Sequence, residues 1–495
     1  MIRKITVFLA LVMLAPMVAF SQFEDERREF DEFIKREMQS FDDFVEEQNR
    51  EFAKFLRETW VEYDVNAPFV RPKRPEPVKP TKYNKDLPPT SPKETPVTDV
   101  TKIPSAPVPA PEQTPQPPAV PEPVVPVVPE APPAVPTAAL KFDFYGDQVA
   151  IDPALKGAVS LTGIAENDIA NAWEALSRLN YKPLVDGCLT LKKSMALNDY
   201  GYLLLAYTAA ENLNTSKKAN NTVLLQWFIV CQSGYRARLA RSGSQLLLLF
   251  ATDDRIYGNS FLRLNNEIYY IFRNKLDSEA SLCTYNRDFG AATRKIDMHI
   301  ATPQMFGGKT SSKNFSAKNF PLKVSASVSE KQILFYKDYP QCDFSVYANA
   351  PVSDDISNIT FPQLKAAVAG KSDEQAVNML LNFVQTAFAY KTDDEQFGYE
   401  KPLFVEETFY YPYCDCEDRS ILFSCLVRTL LGLDVVFLEY PNHLATAVCF
   451  NAAVAGDYLT VGQKKYVICD PTYIGAGVGK TMPQYQNSSV KVLQQ

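Results

Sequence analysis

Histidine is almost missing from this chain: His299 and His443 are the only two in 495 residues. Any imidazole base must be one of them. An excess of positive charge is missing too. The formal net charge is −7, and segment 22–64 alone holds 15 Asp and Glu against 7 Lys and Arg, so the remainder is close to neutral. That removes the electrostatic case for a nucleic-acid partner. Beyond the first twenty residues no apolar run is long enough to span a bilayer. No cysteine lies near residue 21, which excludes lipid attachment there. Residues 65–139 contain no glycine at all, yet hold 23 of the 36 prolines.

What is present divides the chain. Residues 1–21 read as a secretory signal peptide: Arg3 and Lys4, the apolar stretch ITVFLALVMLAPMVAF, then small residues before a cut after Ser21. A retained anchor is the alternative, but the run is short and carries Pro16. The mature chain is expected to be periplasmic or secreted, with no transmembrane segment after cleavage. Nine cysteines make an odd count, so at least one thiol is free or paired between chains. Exported thiols tend toward disulfides. One that stays reduced needs a reason, and catalysis is one.

Residues 22–64 predict an acidic amphipathic helix. Phe30, Phe41 and Phe52 are spaced by 11, as are Phe33, Phe44 and Phe55. That period matches 3.67 residues per turn and lays the rings along one stripe. The stripe packs either on another copy of the chain, giving self-association, or on the chain's own domains. Residues 65–139 read as a Pro-rich linker, extended and unable to build a core. At ~3.1 Å per residue it would reach on the order of 200 Å. Residues 160–250 read as mostly helical, and 260–350 as strand-rich, with SFLRLNNEIYYIF and KQILFYKDY as examples. Sliding the chain against itself by 198 lays SILFSCLVRTLLGLDVVFLEYPNHLATAV (420–448) on residues 222–250 without a gap, and 464–470 on 266–272. The apolar pattern stays in phase through helix, strand and strand, which suggests a duplication.

The chemistry concentrates in YYPYCDCEDRSILFSCLVRTLLGL, residues 410–433. Asp415, with Asp418 three residues on, predicts a helix start, and Gly432 its stop. Cys416 then takes the first helical position, where the helix dipole and free N–H groups favour a thiolate. Glu417 and Asp418 oppose it, so a base is needed. His443 opens the strand HLATAVCF, and Asp470 ends the strand KKYVICD. If these strands pair antiparallel, imidazole and carboxylate become neighbours at one rim. Thiol, base and orienting acid are the parts of a cysteine acyl-transfer enzyme.

DCEDRSILFSCLVRTLLGLDV, NHLATAV and YVICDPTY, in that order, resemble the core of the transglutaminase-like superfamily. The longer stretch DDEQFGYEKPLFVEETFYYPYCDCEDRS is similar to exported multidomain members from Bacteroidetes-type bacteria. The resemblance covers roughly residues 374–475. It implies Cys416 as nucleophile, His443 as base and Asp470 as orienter, in an α+β, papain-like fold. The domain at 373–495 would be catalytic. Residues 140–280 would be a degenerate copy, with Lys218, Gln245 and Phe272 in place of the three, and 281–372 a β-rich region between them.

Plainer readings stand beside these. Cys414 is a bystander, Cys425 a core residue, and His299 structural. Cys449 and Cys469 are core or paired, and Cys283 with Cys342 is a possible disulfide. A zinc site of Cys414, Cys416, His443 and Cys469 would leave Asp-Pro-Thr unused, and no metal or organic cofactor is expected. The expected activity is acyl transfer on peptide or side-chain amide bonds through a thioester, with hydrolysis favoured over cross-linking. The oxyanion donors would be the Cys416 N–H and an upstream group, Tyr410, Tyr411 and Tyr413 among the candidates. The competing reading is a non-catalytic cell-envelope scaffold.

Overall fold

The computed structural model describes residues 33, 43–71, 81–86, 91–102, 139–273, 276 and 281–494. The signal-peptide reading, Phe30 and Phe41 lie outside them. The architecture is α+β, built on two six-stranded sheets.

The first sheet runs β1 (Val61–Asp64), β9 (Ser281–Thr284), β5 (Ala237–Ser242), β6 (Gln245–Ala251), β8 (Glu267–Ile271), β7 (Phe261–Leu264). The second runs β2 (Val97–Lys102), β18 (Val490–Gln494), β14 (Asp434–Tyr440), β15 (His443–Cys449), β17 (Lys464–Cys469), β16 (Tyr458–Val461). Position for position the strand orders agree. The central hairpins share one register at the offset of 198: Ser242 faces Gln245 as Tyr440 faces His443. Each hairpin follows a helix ended by a left-handed glycine, Gly234 (φ 83°) or Gly432 (φ 68°). Beyond the hairpin the registers drift by one or two residues.

Of the other strands, β3 (Leu140–Phe144) pairs with β4 (Asp147–Ile151), β10 (Thr310–Ser316) with β11 (Lys323–Ser329), and β12 (Ala389–Tyr390) with β13 (Tyr413–Cys414). Helix α1 covers residues 43–55. Then come α2 (Glu166–Ser177), α3 (Lys182–Ser194), α4 (Asp199–Leu213) and α5 (Ala219–Gln232), with α4 and α5 packed together and α5 lying on the first sheet. On the second sheet α9 (Asp373–Ala387) and α12 (Cys416–Leu431) repeat that arrangement. Between the two lie α6 (Glu330–Lys337), α7 (Phe344–Ala348) and α8 (Phe361–Val368); α10 (Asp393–Gln396) and α11 (Val405–Tyr410) sit between α9 and α12. No helix among the described residues is long and apolar enough to cross a membrane.

Three expectations need correction. KQILFYKDY is mostly helix α6, not strand: Ser329 caps it, and Ile333 and Tyr336 bury one face. A short apolar run cannot separate the two periods by itself. The region 281–372 accordingly holds more helix than strand, and β9 at its start joins the first sheet. The Pro-rich linker is docked in part. Phe69 stacks on Phe261 at 4.6 Å, Lys82 bridges to Ile474, and β2 adds to the second sheet as a parallel edge strand. Proline is tolerated at a sheet edge, where half the N–H groups face outward. Asn66 also bridges to β7, and Glu94 to β16, so this strap reaches an edge strand of each sheet.

The aromatic stripe divides. Phe44 is 49% exposed, whereas Phe52 and Phe55 are buried in the core of the first half. Phe52 packs against Trp173, Trp227 and Phe289 with ring centroids 4.9–5.9 Å away. Buried Asn49 accepts hydrogen bonds from Trp173 Nε1 and Gln232 Nε2.

Candidate active site

Helix α12 explains the site's position. It packs on α9, α11, β14 and β15, so every residue from Cys416 to Ser424 is buried, polar ones included. Asp415 N–H donates to Asp418 Oδ2 at 3.1 Å, closing the first turn. One turn beyond Cys416, Ser420 Oγ donates to the Leu444 carbonyl at 2.9 Å. The helix start is thereby tied to the strand start that carries His443.

His443 and Asp470 meet as neighbours at the rim of the sheet. Nε2 of His443 lies 2.8 Å from Asp470 Oδ2, with side-chain exposures of 0% and 3%. The Asp-Pro-Thr motif has a local purpose here. Asp470 Oδ1 accepts the Thr472 N–H at 2.8 Å, which fixes the carboxylate and leaves Oδ2 for the imidazole. Gln385 of α9 clamps the same loop, donating to the carbonyls of Asp470, Tyr473 and Ala476 and accepting from Gly475 N–H. With Nε2–H given to Asp470, Nδ1 of His443 carries the lone pair, and it is buried without a hydrogen-bond partner among the described residues. Tyr485 stacks on the imidazole at 5.4 Å, with Tyr440 behind it.

Cys416 is 3% exposed and its thiol donates to Glu417 Oε2 at 3.0 Å. The carboxylate, not the imidazole, holds the sulfur in this state. Tyr390, opposite Cys414 in the β12–β13 pair, stays a protonated phenol: burial, then the nearby Cys416 and carboxylates, raise its pKa. Arg419 is buried beneath its ring and donates to the Phe388 carbonyl. Sequence reasoning missed Tyr390, Tyr485, Gln385 and Arg419. The run of charges at 415–419 is a signal that could have exposed Arg419, since a charged helix start inside an apolar helix calls for partners.

The other thiols are bystanders of the pair. Cys414 is buried and pushed up to about 11 by desolvation. Cys188, Cys231, Cys342 and Cys469 are also buried, and no disulfide forms among the nine cysteines, so Cys283–Cys342 and Cys449–Cys469 are not bridges. Zinc's four sequence candidates do not converge among the described residues. Oxygens of Asp393, Asp415 and Asp418 do lie within 4.8 Å of one another, a set that could hold a hard divalent cation. His299 sits apart, with Nδ1 3.0 Å from Asp297.

The chain matches no family model, no curated protein and no solved structure.

The buried acids make stability depend on pH. Desolvation, then neighbouring carboxylates, push Asp418 up to about 8 and Asp393 up to about 10; burial also raises Asp415. Unfolded, each would titrate near 3.9. The folded chain therefore binds more protons than the unfolded chain from about pH 4 upward, and stability falls as pH rises through that window. Thermal unfolding followed by circular dichroism should show the midpoint dropping between pH 5 and pH 9. Asp393→Asn should flatten the drop. A midpoint that holds or rises across that range would contradict the proton sharing.

Proposed function

We propose that the chain is a transglutaminase-like cysteine enzyme of the cell envelope, acting on peptide or side-chain amide bonds, with hydrolysis favoured. One observation carries this reading: a buried His443–Asp470 pair with its second nitrogen unpartnered, beside a helix whose first residue is a cysteine. In the reaction Cys416 leaves Glu417, passes its proton to Nδ1 of His443 and attacks the carbonyl carbon. The oxyanion is held by the backbone N–H of Cys416, at the first helical position, and by the Tyr390 hydroxyl. His443 then protonates the departing amine, and water releases the thioester. The fold read this way is papain-like, a cysteine-bearing helix packed on an antiparallel sheet. The first half is a degenerate copy of it; matched strand order, hairpin register and left-handed glycines support that descent.

The thiol's bond to Glu417 favours the second reading, a non-catalytic scaffold. Site-resolved iodoacetamide labelling near pH 6 separates the two. An ordinary thiol is under about one per cent thiolate there. Fast labelling at Cys416 that vanishes in His443→Ala is the expected result. Slow labelling, equal in both proteins, would leave the scaffold.

A further inference from the structure

The first half has an open cleft where the second has its catalytic pair. A hollow of about 870 Å³ is lined by Gln245 and Phe272, which stand at the offset positions of His443 and Asp470. It continues over the start of α5 into a second hollow of about 420 Å³, where Lys218, at the offset position of Cys416, joins the wall. The reason for its openness is a missing insert. Twenty-eight residues, 388–415, separate α9 from α12 and build the roof that carries Tyr390; five residues, 214–218, separate α4 from α5.

The charge has changed sign as well. Asp415 precedes α12, and Glu417 and Asp418 fill its first turn. Lys217 and Lys218 precede α5, whose first turn holds no acid and whose N-cap side chain makes no capping bond. The positive end of that helix and Lys217 line the hollow with one acidic side chain, Glu211, and with Arg273, whose guanidinium also pairs with Asp338 at 3.3 Å. On the floor Gln226 is 1% exposed. Its Nε2 donates to the Leu203 carbonyl, and its carbonyl oxygen has no partner among the described residues. Gln245 adds an exposed amide.

We infer that this cleft is a binding site for an acidic peptide segment, a non-catalytic contact with polypeptide beside the catalytic half. The cationic rim and helix start receive a carboxylate. The Gln226 carbonyl can accept from a peptide N–H, which a bare anion cannot offer. The choice of peptide over acidic sugar rests on the proposed function, since the cleft is the counterpart of one built for amide bonds.

The test is fluorescence anisotropy on full-length Cys416→Ala, so that no turnover intervenes. The probes are a fluorescein-labelled decapeptide alternating Glu and Gly, its Lys-Gly counterpart, and an oligogalacturonate. The chain's net charge of −7 opposes non-specific capture of an anion. The acidic peptide should bind, and Lys217→Glu and Gln245→Trp, both at exposed positions, should each weaken it at least tenfold. Absent binding, binding unchanged in both variants, or equal binding of the Lys-Gly peptide would overturn the site. Tighter binding of the oligogalacturonate would overturn the peptide assignment. Labelling of Cys416 decides the enzyme reading separately, so the two can fail independently.

Discussion

Asp470→Asn should keep the fold and lower turnover by about 10³–10⁴-fold, the scale set by a wrong imidazole tautomer in comparable triads. The asparagine carbonyl can still accept the Thr472 N–H that Asp470 Oδ1 accepts now. Its amide nitrogen, however, then faces Nε2 of His443, which must become an acceptor. The ring proton moves to Nδ1, the atom that has to take the thiol proton. Initial rates on a peptide library, read by mass spectrometry beside a circular dichroism melt, check this. A rate unchanged in a folded variant would remove Asp470 from the chemistry. A collapsed melt would mean that the loop held by Gln385 depends on the carboxylate, and Gln385→Leu, which leaves Asp470 in place, would then collapse likewise.

Phe52→Ala should cost about 3–5 kcal/mol, the usual range for deleting a buried aromatic ring. Phe52 is 3% exposed, and its ring joins the Trp173–Trp227–Phe289 cluster, so its removal leaves a cavity that rigid neighbours cannot fill. Urea unfolding of the variant measures the loss, and Phe44→Ala is the control, because Phe44 is 49% exposed. If the stripe served self-association alone, Phe52→Ala would change the sedimentation coefficient and leave the urea midpoint in place.

The sequence carries the second sheet more openly than the first. Helix α12 has a polar start, an apolar body and a glycine stop, and its strands alternate clearly enough for the 198-residue offset to show. His443 and Asp470 can be paired from sequence because each ends a strand, and strand ends meet at sheet rims. Tyr390 is hidden because it depends on β12, two residues long, whose partner comes 24 residues later. Gln385 is hidden for a related reason: an amide inside an apolar helix declares nothing until the loop it clamps is folded against it. The docking of β2 is obscured by composition. Six residues among prolines read as extended chain, and extended chain is what an edge strand is. The split of the aromatic stripe follows from tertiary packing, since identical spacing places Phe44 outside and Phe55 inside.

The strap also sets an order of events. Thr98 bonds to the carbonyl of Val490, a residue 392 positions away, and β2 pairs with β18, the last strand among the described residues. A segment made early thus has no sheet to join until β18 has been made. Domains made first usually fold first, but here the second sheet is closed by joining segments 392 positions apart. Until then the waiting segment is protected by its own prolines and charges, which resist pairing with a stranger's strand. The second sheet becomes complete only after β18 has emerged, so the part bearing Cys416 is finished after the first sheet.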